Sequence, residues 1–267
     1  MTYHSDVIKY RYLKSFYKPI MHRFLTSMDR IVATSNNYLD SSEDLKTYKG
    51  KSTVIPLGVD ETKYPRIQET NTRFWQNKLG SDFFLFVGVL RQYKGLHILL
   101  EAARKTKHNV VIVGSGPTER ALRKQIAEQN IGNVILTGFL SEEDKVVLFN
   151  LCRAVIFPSH QRAEAFGVTL IEGAMFGKPL ISTELGTGTS YVNKDNVTGL
   201  VVQANDSTGL ANAMNTLAEN DALVHSMGRA ARIRFEELFS PEKMGQQYIA
   251  LYLSVLENCQ KDSFFSN

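Results

Sequence analysis

The chain has 267 residues, of which 43% are hydrophobic and 22% charged, a composition ordinary for a globular protein with a sizeable core. Its net charge of +4 is spread without dense Lys/Arg clusters, which favours an anionic small ligand or an anionic membrane surface and argues against a nucleic-acid partner. Cys152 and Cys259 lack metal-ligand spacing, and no apolar run reaches the ~18 residues of a membrane span, so we expect a cytoplasmic protein.

Residues 1–65 contain too little regular structure to close a sheet of their own. An amphipathic helix is predicted from about Tyr10 to Thr26, and Thr34-Ser35 lead into a second helix. Short apolar strands are predicted at Arg30 to Ala33 and at Ser52 to Ile55. Two strands and two helices are fewer than a doubly wound sheet needs. We therefore expect the C-terminal remnant of a Rossmann-like domain and its linker, with roughly one hundred preceding residues absent.

Residues 66–239 alternate strand and helix with short connections. This alternation predicts one complete, doubly wound domain with a parallel sheet. The predicted strands are Phe83–Val89, Asn109–Val113, Val134–Thr137, Ala154–Phe157, Pro179–Ser182 and Gly199–Val202. Helices are predicted at Lys94–Lys105 and Thr118–Asn130, after Ser141, from about Phe166, and at 207–219 and 221–238.

Local signals mark the ends of several helices. Pro117 takes the favoured first position of one predicted helix. Ser141 caps the next, with Asp144 completing a capping box of the weaker Asp type. Gly177 closes the helix that begins near Phe166. A last helix is predicted from Ser240 to Leu256, within a tail formed by residues 240–267.

Polar residues and glycines follow four of the predicted strands, where each strand ends. Ligands of an open α/β sheet bind at this edge, where the strand order reverses. Arg91 and Lys94 follow the first strand, and such a pair can neutralise a departing diphosphate without a metal. On spacing alone, ordinary surface cations are the commoner interpretation. The other positions are Gly114-Ser115-Gly116, Gly138-Phe139-Leu140, and Glu164 with Gly167.

Glu164 and Glu172 flank the start of the helix predicted from Phe166. A helix start offers free N–H groups and a positive dipole end to an anionic ligand. Without further context, a core helix with two solvated glutamates is the commoner interpretation. Glycoside hydrolysis by two carboxylates fits less well, because Glu172 lies inside the helix. Dinucleotide binding at Gly114 is disfavoured, since Glu119 occupies the position of the third fingerprint glycine.

The string AEAFGVTLIEGAMFGKPLI resembles the nucleotide-sugar signature of retaining glycosyltransferases of family 4, which have the GT-B fold. VIPLGVD resembles the connection between the two domains of that family. The resemblance implies an α/β architecture of GT-B type, with one complete Rossmann-like doubly wound parallel domain and the remnant of a second. It also implies that the tail helix crosses back to the N-terminal part.

The resemblance assigns a role to each site residue. Arg91 and Lys94 would stabilise the leaving diphosphate, and Glu164 would orient the transferred sugar. His4, in TYHSD, matches a family segment with a histidine facing the sugar and the acceptor. The family often has Arg directly after Gly88, where this chain has Val89, whereas Lys94 matches directly. The implied donor-binding residues are Gly88, Gly114, Gly116, Gly138, Phe139, Leu140, Phe166, Gly167, Val168, Thr169 and Glu172.

Within that set, the backbone N–H groups of 166–168 would meet the sugar and the diphosphate, and Glu172 would accept hydrogen bonds from the ribose hydroxyls. Taken with the strings GVLRQYKG and EGAMFGKP, residues 181–191 (ISTELGTGTSY) resemble bacterial O-antigen and polysaccharide mannosyltransferases. The resemblance implies transfer of a hexosyl group, mannosyl from GDP-mannose, with retention and without a metal or other cofactor. The expected acceptor is a lipid-linked glycan or polysaccharide in O-antigen-type biosynthesis, with peripheral contact at the inner face of the plasma membrane.

Two alternatives stay open. One is a GT-B sugar-nucleotide epimerase or hydrolase. The other is a non-catalytic or split half that binds a nucleotide sugar and needs a partner chain. Because residues 1–65 are interpreted as a remnant, we expect this chain alone to bind donor weakly and to transfer little.

Overall fold

The computed structural model describes residues 1–6 and 11–264, and the side chains of 1–6 and 16–257. Two parallel sheets with helices packed against them make up this part of the chain, which confirms the α/β class. The predicted helix start at Tyr10 and the side chain of Cys259 lie outside the described residues.

The small sheet consists of β1 (Thr2–Tyr3), β2 (Ile31–Ala33) and β3 (Ser52–Val54), which pair in that order and in parallel. Helix α1 (Arg11–Ser27) and helix α2 (Asn36–Ser41) connect them. Tyr3, Leu25, Ile31 and Tyr38 form part of their common core. The sequence indicated only β2 and β3 clearly, because two residues are too few for alternation to show.

The large sheet has the strand order β6-β5-β4-β7-β8-β9, with all strands parallel. The chain runs outward from β4 to β6 and then returns to pair β7 with β4. This reversal is the switch point of a doubly wound fold, as predicted for residues 66–239. The strands are β4 (Phe84–Val87), β5 (Val110–Val113), β6 (Val134–Gly138), β7 (Ala154–Phe157), β8 (Leu180–Glu184) and β9 (Gly199–Gln203).

Helices cover both faces of the large sheet. Successive strand residues point to opposite faces, so Leu85 and Val155 pack with Phe149 on one face, while Phe84 and Ile156 pack on the other. The helices are α3 (Glu69–Leu79), α4 (Leu96–Ala103), α5 (Glu119–Glu128), α6 (Glu142–Leu151), α7 (Val168–Met175), α8 (Gly188–Val192), α9 (Ser207–Glu219) and α10 (Asp221–Leu238).

Some of the predicted helix ends are confirmed, and others are wrong. Ser141 Oγ accepts the Asp144 N–H at 3.2 Å and caps α6 as expected. Gly177, with φ of +65°, follows the end of α7. Pro117 was wrongly placed, because α5 begins only at Glu119. The Glu119 N–H bonds to the Gly116 carbonyl at 3.1 Å, so Pro117 belongs to a turn before the helix.

The turn after β4 also differs from the prediction of a helix from Lys94. Residues Gln92–Lys94 form a 3₁₀ turn, and Gly95 then adopts a left-handed conformation with φ of +70°. Helix α4 therefore begins at Leu96. The left-handed conformation of Gly95 lets the chain change direction between the 3₁₀ turn and helix α4.

The tail helix α11 (Pro241–Phe264) contacts the small sheet. Its Tyr248 hydroxyl lies 2.9 Å from Thr2 Oγ1. The Val59 N–H donates to the Phe239 carbonyl at 2.8 Å, so the segment after β3 runs beside the start of this helix. Among the described helices, none is both long and apolar enough to span a bilayer.

Candidate functional site

A cavity of about 190 Å³ opens at the carboxyl ends of β4, β5 and β6 and is called here the glycine cavity. Its floor is backbone, since a Cβ added to Gly114 would lie 2.0 Å from the Gly88 carbonyl oxygen. Gly114 also has a φ of +134°, which side-chain-bearing residues rarely adopt. The lining residues are Val87, Gly88, Val89, Val113, Gly114, Ser115, Phe139, Leu140 and Lys145.

Predicted donor residues from three separate loops thus share one cavity: Gly88, Gly114, Phe139 and Leu140. Gly116 and Gly138 shape the surrounding turns instead of lining the cavity. A Cβ on Gly116 would lie 2.6 Å from the Leu90 carbonyl oxygen. The Gly138 carbonyl accepts the Gly114 N–H at 2.8 Å.

Lys94 and Glu164 form an ion pair through Nζ and Oε2 beyond the ends of β4 and β7. Their side chains are only 12% and 10% exposed. The Ser159 hydroxyl donates to the same carboxylate oxygen at 3.0 Å, and the Lys94 ammonium lies 4.6 Å from the centre of the Phe157 ring. A pair this buried responds strongly to loss of either partner, because the remaining charge would be left without compensation.

The loops that carry this ion pair touch through their backbones. A Cβ on Gly95 would lie 2.0 Å from the Pro158 carbonyl oxygen. The His160 N–H donates to the Tyr93 carbonyl at 2.9 Å. The distance between the Lys94 turn and the Glu164 loop is therefore set by main-chain contact.

Helix α7 begins at the same edge of the sheet. Gly167 precedes it in a left-handed conformation, so the helix begins two residues after the predicted start at Phe166. The Phe166 ring is buried against Phe239, whereas Val168 is exposed. The N–H groups of 166–168 make no hydrogen bond within the described residues. Unpaired N–H groups at a helix start are suited to oxygen atoms of an anionic ligand.

Glu172 lies one turn into α7 and faces a second cavity, of about 500 Å³, called here the linker cavity. Its Oε1 accepts a hydrogen bond from the Tyr64 hydroxyl at 2.8 Å. Burial raises the pKa of the Glu172 carboxyl. The lining residues of the linker cavity are Gly58, Val59, Asp60, Lys63, Tyr64, Glu142, Glu172, Pro241 and Met244.

Glu172 lines the linker cavity and not the glycine cavity, although its neighbours Thr169 and Lys145 are in contact with the latter. Thr169, one turn earlier on α7, donates to the carbonyl of Val87, which lines the glycine cavity. The Lys145 ammonium lines that cavity too, and its positive charge lowers the pKa of Glu172. Lys145 in turn pairs with Glu142 in the linker cavity. The two predicted glutamates therefore occupy different places: Glu164 pairs with Lys94, whereas Glu172 lines the linker cavity.

Two predicted catalytic residues lie apart from the ion pair. The Arg91 side chain is exposed and forms no hydrogen bond or ion pair within the described part of the chain. His4 is exposed as well. Its neighbour Asp6 lies 3.5 Å from Arg162 Nη2. The loop that carries His4 thus contacts the loop that carries Glu164, although the two side chains are not in contact.

Arg162 joins these parts of the chain. Its Nη1 donates to Ser41 Oγ at 3.0 Å and to the Gly186 carbonyl at 3.3 Å. Its guanidinium lies 5.7 Å from the centre of the Tyr38 ring. A planar cation with several donors can connect backbone, hydroxyl and carboxylate partners at once. Arg162 therefore fixes the Glu164 loop against residues 1–65.

Sequence analysis missed Lys145, Tyr64 and Arg162. Lys145 follows the capped helix start at Ser141, and its position beyond the Gly138 turn was the only available signal. Tyr64 meets Glu172 across more than one hundred residues of chain. No local spacing reveals a contact of that kind.

The doubly wound sheet, with a backbone-floored cavity and the Lys94–Glu164 pair at its strand ends, defines an α/β protein of the class that binds ligands at this edge of the sheet. The model of the family described as glycosyl transferases group 1 matches residues 67–234. An O-antigen chain mannosyltransferase C from Escherichia coli is 48% identical over 260 residues, 97% of this chain and 69% of the relative. The D-rhamnosyltransferase WbpZ from Pseudomonas aeruginosa is 49% identical over 240 residues, 90% of this chain and 63% of the relative.

Solved structures agree on the fold. Sucrose-phosphate synthase from Thermosynechococcus elongatus superposes with a TM-score of 0.81 at 23% identity, over 96% of this chain and 67% of that one. HepE from Anabaena, solved in complex with UDP, gives 0.79 at 20% identity, over 95% of this chain and 71% of that one. The chain belongs to the group 1 glycosyltransferases, a family of transferases, and has the GT-B type of architecture.

Proposed function

We propose that this chain binds a nucleotide-sugar donor at the glycine cavity and transfers a hexosyl group, mannosyl from GDP-mannose, with retention. The observation that carries the proposal is the conjunction of that cavity with the Lys94–Glu164 pair and the unpaired N–H groups of 166–168. A diphosphate requires cations and N–H donors, and a sugar requires a carboxylate for its hydroxyls. All three lie at one edge of the sheet.

The proposed roles follow from this placement. Lys94 and the exposed cation of Arg91 stabilise the departing diphosphate without a metal or other cofactor. Glu164 orients the sugar, and Glu172 accepts hydrogen bonds from the ribose. The acceptor hydroxyl attacks from the face that the diphosphate leaves. His4, on the loop held by Arg162, faces the sugar and the acceptor.

The acceptor in this proposal is a lipid-linked glycan or polysaccharide of O-antigen type. It is supported by the relative named an O-antigen chain mannosyltransferase, which this chain matches over 69% of that relative's length. Transfer of a hexosyl group to such an acceptor suits a cytoplasmic enzyme in contact with the inner face of the plasma membrane.

Helix α1 supports the membrane contact. Phe16, Ile20 and Phe24 recur every fourth residue and are 80%, 70% and 51% exposed. The charged residues of the helix are all cations, Arg11, Lys14, Lys18 and Arg23. An apolar stripe on a helix without acidic residues is complementary to an anionic lipid surface.

Titration of the chain with GDP-mannose, UDP-glucose and UDP-N-acetylglucosamine tests the donor site. We expect GDP-mannose to bind at least about tenfold more tightly than the uridine donors, a difference of about 1.4 kcal/mol. Lys94→Ala should weaken that binding, because it removes a cation and leaves the Glu164 carboxylate without its cationic partner. Lys78→Ala, which removes an exposed lysine on α3, is the matched control. Absence of binding by any of these donors would overturn the proposal.

A second candidate is a donor-binding half that needs another chain for transfer. The small sheet favours it, because three strands are described there against six in the large sheet. Transfer to an acceptor by this chain alone would eliminate that candidate. Donor incubated without acceptor distinguishes the remaining alternative, since an epimerase or a hydrolase would convert it.

A further inference from the structure

Tyr64 lies in the segment between the two sheets, directly after the 3₁₀ turn Glu61–Lys63, and contacts Glu172. Its hydroxyl donates to Glu172 Oε1 at 2.8 Å. Its ring packs edge-on against Phe176, with the ring centres 5.9 Å apart. The phenol is thus held by a ring on one side and bonded to a carboxylate on the other.

The backbone that presents Tyr64 is braced. Asp60 caps the 3₁₀ turn Glu61–Lys63 by accepting the Thr62 N–H at 3.0 Å. Arg232 grips Glu61 with two hydrogen bonds of 2.7 and 2.8 Å. The same guanidinium donates to the Met175 carbonyl at 2.6 Å, at the end of α7. The turn before Tyr64 and the helix that carries Glu172 therefore share one anchor.

We propose that Tyr64 is a positioning residue for Glu172, holding the carboxylate in the orientation that receives the ribose hydroxyls of the donor. The inference rests on the proposed function, because it takes Glu172 as the ribose acceptor. A carboxylate with a free side-chain torsion would have to be ordered when the nucleotide binds. The Tyr64 hydroxyl orders the carboxylate before the nucleotide binds, so the entropic cost of ordering it does not reduce the affinity for the nucleotide.

The charged surroundings of Glu172 give a second readout. Burial raises the pKa of Glu172, whereas the Tyr64 hydroxyl and Lys145 lower it and Glu142 raises it. Asp60 and Lys63 line the same linker cavity. Removing the Tyr64 hydroxyl therefore raises the pKa of Glu172 further. Because the ionised carboxylate is the stronger hydrogen-bond acceptor, the variant should lose nucleotide affinity on acidification at a higher pH than the unaltered chain does.

The test is Tyr64→Phe, which removes the hydroxyl and keeps the ring. Tyr191→Phe is the matched control, because Tyr191 packs on Phe239 and its hydroxyl makes no hydrogen bond within the described residues. Calorimetry would measure binding of GDP and UDP, and then of the tighter nucleotide in its 2′,3′-dideoxy form. Each titration would be repeated across the acidic range.

Tyr64→Phe should weaken binding of the ribonucleotide by about fivefold, the effect of one hydrogen bond. It should change the affinity for the dideoxy nucleotide by less than about twofold. It should also raise the pH at which affinity is lost on acidification. Equal weakening of both nucleotides would assign Tyr64 to packing alone and overturn the inference, as would an unchanged ribonucleotide affinity. Failure of the unaltered chain to bind either nucleotide would instead defeat the proposed function, and this inference with it.

Discussion

At the scale of single residues, Glu172 combines a ligand-binding position with surroundings that oppose its charge. Burial raises the pKa of its carboxyl more than Tyr64 and Lys145 lower it. The native state therefore holds this proton more tightly than the unfolded chain does. The resulting stability is present below the unfolded-state pKa and is lost as pH rises through the native one. The ionised form of Glu172 thus destabilises the fold.

Glu172→Gln should raise the melting temperature at pH values above the native pKa of the carboxyl, and the gain should shrink as pH falls below the unfolded-state pKa of about 4.3, where both states bind the proton. The same change should weaken nucleotide binding. Thermal unfolding across this range measures the first effect and calorimetry the second. Glu143→Gln, on the exposed side of α6, serves as the control. A gain that does not depend on pH would contradict this account.

The local sequence predicted which residues lie at the correct edge of the sheet, but it did not predict the directions of their side chains. Lys94 and Glu164 both follow strands that pair with each other, and their contact follows from that pairing. Glu172 meets Tyr64 instead, because rotamers depend on neighbours from distant segments. Arg91 points to solvent from the turn that precedes Lys94. The catalytic and donor-binding roles themselves stay predictions.

At the scale of elements, buried parallel strands were the easiest to recognise. Runs such as Phe83 to Val89 are apolar throughout, because both faces of the sheet are covered. Helices α9 and α10 have the predicted bounds, since each begins at a capping residue, Asp206 and Asn220. Helix α8 was missed, because five residues with Gly188 and Thr189 show neither propensity nor period.

Gly95 connects two elements of the site, and its substitution tests that connection. Gly95→Ala forces a Cβ to within 2.0 Å of the Pro158 carbonyl oxygen, at a φ of +70°. We expect a loss of more than about 2 kcal/mol in the free energy of unfolding, from steric conflict together with left-handed strain. Urea denaturation measures it.

The control is Gly50→Ala, where an added Cβ meets nothing within 4 Å. This change should alter stability by less than about 0.5 kcal/mol. Equal losses in the two variants would show that the Lys94 turn can move away from the Glu164 loop without cost.

At the scale of the whole molecule, the division into residues 1–65, 66–239 and 240–267 stays a prediction, although contacts join the three parts. Arg162 binds Ser41, and Tyr248 meets Thr2. The parallel, doubly wound class of the large sheet could be inferred from the alternation of strands and helices. The individual side-chain contacts between parts could not, because each joins residues more than one hundred positions apart in the sequence.

The exposed stripe of α1 predicts membrane association of the whole chain. It should co-sediment with phosphatidylglycerol vesicles at low salt and remain in solution with phosphatidylcholine alone. Changing Phe16, Ile20 and Phe24 to Ser should reduce vesicle binding by at least about tenfold, because apolar burial contributes much of the affinity. A control pair, Val197→Ser and Ile233→Ser, removes exposed apolar residues elsewhere. Unchanged sedimentation of the α1 variant would contradict the assignment.

The meeting of Gly88 and Gly114 limits how this enzyme can diverge. A Cβ on Gly114 would lie 2.0 Å from the Gly88 carbonyl oxygen, and Gly88 itself has a φ of +154°, a conformation that residues with side chains rarely adopt. Point mutation can therefore reshape the glycine cavity more readily at lining residues that already carry side chains, such as Phe139, Leu140 and Lys145. Differences in donor preference among descendants of this sequence should accumulate at those side chains, while Gly88 and Gly114 remain glycine.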